Sequence, residues 1–441
     1  MPSRSCVGHG ISGIGVEVNS RYRYIQVMIA ISILAVLGVF AYFNTRLIAF
    51  SGFLSYLTLA YFLVIALIAY SYREVESDIT PVCDVIIPAY NEGRNVYDTV
   101  RSVIECDYPP EKLHVIVVDD GSRDDTRKWI ERAAADFPRV RGIFKIRNAG
   151  KKHALSDAIR SSNAEIIVTI DSDCVIEKNT ITNIVKPFVD KKTGAVAGNI
   201  RVSNLQDGVI PQMMDTVLAF CYEFIRSSQS RFGTVMCAAG ALSAFRREAL
   251  LPLLDRWLGQ RFLGAPTTIG EDRALTTLLL RNDWNVVYQT SAVVYTAMPT
   301  SYANMCKMLL RWMRGDIREN IEMFTYVFRK FNPLDMRTSC LQLHYIALVI
   351  GICAPVFSLP ISVFCLVVHF SECMTIAFYI LIISMIWSII PAMIYARRYS
   401  VGKSFYAFVY GIFSLLCLSW IPLYSVLTVG NNKWMTREDP R

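Results

Sequence analysis

The chain has 441 residues, of which 53% are hydrophobic, with a formal charge of +8 and a mean hydropathy of +0.35. That hydropathy excludes a wholly water-soluble protein and a disordered chain, and the length excludes a small disulfide scaffold. The 12 cysteines are scattered without a CxxC pair, which predicts free thiols in a reducing compartment. Basic residues gather at predicted membrane borders and in short motifs, so no nucleic-acid partner is expected.

Five runs, residues 25–43, 50–70, 341–368, 374–395 and 405–429, contain no Asp, Glu, Lys or Arg. Each is near or above the roughly 20 apolar residues that cross a bilayer core. The first is longer than the apolar part of a signal peptide and is followed at once by a second run, so it reads as a retained span. Arg21 and Arg23 precede it, Arg46 alone lies between the first two runs, and Arg73 follows the second. This bias places the N-terminus and residue 71 onward in the cytosol. The loop 369–373 has no Lys or Arg and is expected outside, with Arg397, Arg398 and Lys403 inside. Residues 405–429 read either as a fifth span or as an interfacial helix broken near Pro422; the basic tail favours the second, giving four spans.

The expected organisation is a cytosolic segment (1–24), two transmembrane helices (25–70), a cytosolic catalytic domain (71–298), amphipathic interface helices (299–340), two more transmembrane helices (341–395), and an interfacial helix with a tail (396–441). The protein is expected in the plasma (inner) membrane, in contact with the lipid bilayer.

Within the charged body, short β-branched runs end in polar clusters. Residues 82–88 lead to Ala89-Tyr90-Asn91-Glu92, 114–118 to Asp119-Asp120-Gly121-Ser122, and 166–170 to Asp171-Ser172-Asp173; residues 194–202 form a further predicted strand. Strand, acidic loop and helix in repetition predict an open α/β sheet, with ligands beyond the carboxyl ends of its strands. No Walker sequence or GxGxxG follows a strand, which excludes the usual phosphate loops.

Asp171 and Asp173 offer hard oxygens suited to Mg²⁺ or Mn²⁺ with a bound diphosphate, or they simply cap the next helix. Asp119-Asp120 would repel a second acidic loop unless cations lie between them; as a local turn it needs no ligand. Lys151 could meet a phosphate, or be a solvated helix start. In Gly270-Glu271-Asp272-Arg273 the acids either complement a helix dipole or include a general base. Residues 299–331 read as an amphipathic surface helix, with Tyr302, Met305, Leu309 and Trp312 on one stripe and Lys307, Arg311, Arg314 and Arg318 elsewhere. Trp312 and Trp434 read equally as interfacial anchors.

In this order and spacing the clusters resemble the membrane-embedded processive family 2 glycosyltransferases, the group of hyaluronan synthases, rhizobial chitooligosaccharide synthases of the NodC type, chitin synthases and cellulose synthases. The resemblance rests on Pro88-Ala89-Tyr90-Asn91-Glu92, Val118-Asp119-Asp120-Gly121-Ser122, Asn148-Ala149-Gly150-Lys151-Lys152-His153-Ala154, Asp171-Ser172-Asp173, Arg261-Phe262-Leu263-Gly264, Gly270-Glu271-Asp272-Arg273, and the tail Trp434-Met435-Thr436-Arg437. It implies an α/β GT-A domain, with a mixed, mainly parallel sheet, fused to an α-helical transmembrane channel.

It further implies that Tyr90, Glu92 and Asp120 hold a uridine, that Lys151 meets the diphosphate, and that Asp173, with Asp171 nearby, binds Mg²⁺ or Mn²⁺ and UDP. Asp272, beside Glu271, would be the base, Trp312 would stack under the acceptor sugar, and Cys237 and Gly240 would line the acceptor pocket. Arg311, Trp434 and Arg437 would close over the donor. The implied reaction is inverting transfer from a UDP-sugar, UDP-GlcNAc with or without UDP-glucuronate, onto a growing, exported polysaccharide.

Two departures stand out. Met308 occupies the place of the Gln in the family's Gln-x-x-Arg-Trp motif, which leaves open a non-processive transfer of one sugar to a membrane lipid. The run Cys237-Ala238-Ala239-Gly240-Ala241 lacks the Gly-Pro of hyaluronan synthases.

Overall fold

The computed structural model describes residues 60–329, 332, 334–368 and 370–432. The expected span at 25–43 and the tail residues Trp434 and Arg437 lie outside the described residues.

Strand β1 (Cys83–Ala89) is buried at every position, Asp84 included, as a strand covered on both faces is. It pairs in parallel with β2 (Leu113–Asp119) and with β4 (Ile166–Ile170), and β2 pairs in parallel with β3 (Val140–Phe144). Beyond β4 the sheet continues through β7 (Leu242–Arg246), antiparallel to both its neighbours, then β6 (Thr193–Val202), β10 (Asn285–Thr296) and the short β5 (Cys174–Ile176). The eight strands form one mixed, mainly parallel sheet of GT-A type, and β8 (Arg261–Phe262) and β9 (Ala265–Pro266) pair separately. The carboxyl ends of β1, β2 and β4 lie along one edge, bringing Tyr90, Asp120 and Asp171 together. Because β7 runs against β4 with Leu242 opposite Ile170, Gly240 comes to that same edge.

The predicted strands correspond to β1, β2, β4 and β6 within a residue or so at each end. Not foreseen were β3, β5, β7 and β10; the last carries Gln289, Thr290 and Ser291 in mid-strand, polar residues whose partners lie far away in sequence. Gln289 exchanges hydrogen bonds with the Val75 backbone, and the Ser291 amide donates to Glu74.

The apolar C-terminal runs form helices Met336–Val368 and Phe370–Arg398. Stretches Met336–Pro360 and Ile380–Arg398 within them are long and apolar enough to cross a membrane; Gly402–Leu418 and Trp420–Leu427 form a pair bent by 47°. The bend follows a π-helical turn (Ser414–Leu418), just ahead of Pro422. This stretch begins and ends against the sheet domain: Tyr399 donates to Glu223 at 2.8 Å, and Asn432 donates to the Pro266 carbonyl at 2.9 Å and accepts from Thr268 at 2.7 Å. Nine of the cysteines among the described residues, Cys237 at the cleft included, are free thiols.

The amphipathic run forms helix Tyr302–Val327, but two of its basic residues do not face water. Arg314 donates to Thr428, and Arg318 to the carbonyls of Val429 and Asn431, the carbonyl-rich end of the Trp420–Leu427 helix. Long stems let these charges reach inward where carbonyls are otherwise unpaired. The same helix touches the loop before Glu271–Arg281 through two glycines, and a Cβ on Gly315 would lie 3.1 Å from Gly270 Cα. Gly270 also has φ +74°, a left-handed conformation costly to other residues.

Gly315→Leu is expected to destabilise the fold by about 1–3 kcal/mol through overpacking, read as a lowered thermal midpoint in detergent, with Gly402→Ala, which has nothing within 4 Å, as the silent control.

Candidate functional site

The three acidic segments that end β2, end β4 and begin helix Glu271–Arg281 would repel one another without a cation between them. Lys151 supplies it. Its helix, Lys151–Ser161, opens directly after Gly150, whose φ of +94° turns the chain into it. The Lys151 ammonium lies 2.5 Å from Asp171 and 3.1 Å from Glu271, joining the end of β4 to the helix carrying Asp272. Burial works against this charge, but Asp171 and Glu271 outweigh it, so the Lys151 pKa is raised. A Cβ at Gly240 would stand 2.6 Å from the Lys151 Nζ, so a larger residue there would push the ammonium from its place.

Asp120 braces the loop that delivers Lys151. Its carboxylate accepts from the amides of Ala149 at 3.1 Å and Gly150 at 2.7 Å, with the Lys145 ammonium at 3.4 Å. Asp119 accepts from the Ser122 amide, a local turn of the kind the sequence suggests. The loop after β1 is held differently: the amides of Glu92 and Gly93 both donate to the Thr126 hydroxyl, and the Asn91 amide donates to Ser122. Tyr90 thus stands at the carboxyl end of β1 beside Asp120.

Asp272 lies at the centre of the cleft with Lys151, Asp171 and Glu271. One oxygen accepts from the Gly240 amide at 3.1 Å and the other from the Arg273 amide at 2.8 Å. Cys237 contacts it through sulfur at 3.9 Å. Burial, then the adjacent Glu271, push the Asp272 carboxyl above its ordinary 3.8, while Lys151 and the two amides oppose the rise. A carboxylate that is fixed, partly desolvated and raised is suited to accepting a proton near neutrality.

Asp173 projects into the open beyond β4, while Ser172 is buried with its hydroxyl unpaired among the described residues. No group of three or more His, Cys, Asp or Glu side chains at metal-binding distances occurs among the described residues. Asp171 and Asp173 offer carboxylate oxygens of the kind that hold a hard cation together with water and phosphate oxygens. On helix Tyr302–Val327, Trp312 is exposed, Met308 is buried, and Arg311 lies on the turn between them. The structure thus gathers Tyr90, Asp120, Lys151, Asp171, Cys237, Gly240, Glu271 and Asp272 at one sheet edge.

Two supports went unread in the sequence. Trp257, fully buried, lines the cleft floor and donates to the Glu271 carbonyl at 2.9 Å. Lys152 donates to Thr267 and Gln260, and burial pushes its pKa down to about 8. Only the pairing of consecutive lysines, one facing the cleft and one the core, hinted at a buried second lysine.

The family described as "Glycosyltransferase like family 2" matches residues 81–315. An N-acetylglucosaminyltransferase of Mesorhizobium japonicum is 36% identical over 246 residues, 55% of this chain and 58% of that protein. One from Rhizobium sp. (strain N33) is 31% identical over 371 residues, 82% of this chain and 79% of that protein. The chain thus spans about 58% of the length of the first of these relatives. A mannosyltransferase from Pyrobaculum calidifontis, solved with GDP-Man and Mn²⁺, shares the fold with a TM-score of 0.54 at 18% identity, covering 92% of this chain and 97% of that one.

Lys151→Met would leave Glu271 and Asp171 facing each other uncompensated. It is expected to cost about 3 kcal/mol, while the double variant Lys151→Met/Glu271→Gln should recover part of it; comparing the two thermal midpoints checks the pairing.

Proposed function

From the premise that this chain belongs to glycosyltransferase family 2 and is a glycosyltransferase, we propose that it transfers N-acetylglucosamine from UDP-GlcNAc, with inversion, onto a growing β-linked chitin-like chain that leaves through its own membrane helices. The observation that carries this reading is Asp272, fixed by the Gly240 amide and raised by burial, opposite a lysine already aligned with two carboxylates. The rhizobial relatives, named N-acetylglucosaminyltransferases, support the choice of donor sugar.

Asp272 takes the proton of the acceptor hydroxyl as its oxygen attacks the anomeric carbon. The bond from that carbon to the diphosphate oxygen breaks, and its electron pair leaves with UDP, converting an α donor into a β product. Lys151 lies where it can exchange its carboxylate partners for diphosphate oxygens, stabilising the charge that builds on the leaving group. Asp173, with Asp171, would hold Mg²⁺ or Mn²⁺, which when bound offsets charge on the same diphosphate. Tyr90 and Glu92 would flank the uridine, and Asp120 would keep its place in the uridine pocket by bracing the Lys151 loop. Trp312 would stack under the acceptor sugar, with Cys237 and Gly240 beside it, and Arg311, Trp434 and Arg437 would close over the donor. Asn432, anchored two residues before Trp434, supports this last role.

The sheet domain faces the cytosol in this reading, within the boundaries 71–298, and the protein sits in the inner membrane with four spans. The contacts of Tyr399 and Asn432 with one domain support an interfacial rather than a crossing path for residues 405–429. Met308 is buried and offers no polar group where the family's motif has Gln, so chain length is the feature to measure.

Membranes supplied with labelled UDP-GlcNAc are expected to form hydrolase-sensitive β-linked oligomers; single-sugar lipid products alone would favour the non-processive reading, and a strict need for UDP-glucuronate would mean a hyaluronan-like heteropolymer. Asp272→Asn is expected to abolish turnover while UDP still binds. In the wild type, activity should fall as the pH drops through the raised Asp272 value, because the base must be ionised, so the acid limb of kcat/KM should lie above 3.8.

A further inference from the structure

The helix that opens at Val209–Phe220 passes into a π-helical turn, Cys221–Arg226. Such turns insert one extra residue into the hydrogen-bond ladder and recur at functional sites. Here the turn carries Arg226, whose guanidinium lies 4.0 Å over the ring of Tyr222, itself buried. Stacking occupies the flat face of the guanidinium and none of its five donors. Its Nη1 is buried without a hydrogen-bond partner, and Arg226 forms no hydrogen bond or ion pair among the described residues. Arg226 as a whole is only half-buried, but this one buried donor costs free energy while nothing completes it.

The groups that feel this charge are those of the acceptor side. Arg226 acts on Asp272 and Cys237, and it helps Arg273 hold down the carboxyl of Asp316, which burial pushes up. Arg273 approaches Asp316 at 3.8 Å. Asp316 lies one helical turn beyond Trp312, on the same face of helix Tyr302–Val327. Two arginines and two aspartates balance locally, so an additional anion would meet as much repulsion as attraction, whereas a neutral oxygen would take the idle N–H groups at no such cost.

We infer that Arg226 binds the acceptor sugar, donating to a neutral oxygen such as an acetamido carbonyl or a hydroxyl, and thereby holds the attacking hydroxyl at Asp272. This rests on the transferase reading above.

The test uses the full chain in nanodiscs, with Arg226→Met and Arg226→Lys, saturating UDP-GlcNAc and chitotriose as acceptor. The KM for chitotriose should rise at least tenfold in Arg226→Met and less in Arg226→Lys, while the Kd for UDP stays within twofold of wild type. An unchanged chitotriose KM in both variants would overturn the inference, as would loss of UDP binding in both, which would mark a structural role. A wild-type preference for a uronate-ended acceptor would overturn the neutral-oxygen assignment. If wild type leaves UDP-GlcNAc intact, the transferase reading fails separately. Chitotriose binding by tryptophan fluorescence then decides the role of Arg226: weaker binding in Arg226→Met supports it and equal binding refutes it.

Discussion

Everything at the sheet edge depends on one lysine shared by two acids. Asp171 closes β4 and Glu271 opens a helix 100 residues later in sequence, and neither would tolerate the other nearby without the Lys151 ammonium between them. Much of the surrounding architecture serves that placement. Gly150 turns the chain, Asp120 clamps the loop by its amides, Gly240 leaves out a side chain, and Trp257 holds the Glu271 carbonyl from below. The site is an electrostatic arrangement first, and Asp272 is the neighbour of that arrangement: its carboxyl is raised by the same burial and the same Glu271 that Lys151 must offset.

How much of this was legible beforehand follows from where the partners lie in the chain. A strand such as β4 declares itself, because five β-branched residues followed by Asp-Ser-Asp have few other uses. The acidic clusters could be placed at one edge because parallel strands put their carboxyl ends there. By contrast, β10 carries polar residues satisfied by Glu74 and Val75, more than 200 residues away, and so it imitates a loop. The same holds for Arg314 and Arg318. Helical periodicity assigns them to a wet face, but the carbonyls that attract them belong to residues 428–431, which no local pattern connects to the helix. Asp120 shows a subtler gap, since motif and spacing identify the residue but not that its oxygens are already engaged by backbone amides.

The join between the sheet domain and the apolar helices is itself polar and buried. Asp215, wholly inaccessible, receives Arg201 at 2.6 Å and the Tyr395 hydroxyl at 2.7 Å, and Arg201 stacks 3.3 Å over Tyr399. Tyr399 in turn reaches Glu223, within the π-helical turn that bears Arg226. A buried ion pair of this kind contributes more to unique positioning than to net stability. It fixes the rotation of helix Phe370–Arg398 against β6, where an apolar seam could slide.

Helix Tyr302–Val327 has a double allegiance. One stretch of it, Arg314 to Arg318, is fastened to the returning C-terminal segment, while Gly315 between them touches Gly270, the residue before the reactive acids. Clamp and hinge pin therefore occupy a single turn of helix. A shift of the returning C-terminal segment would therefore reach the cleft by direct contact, with almost no intervening lever arm.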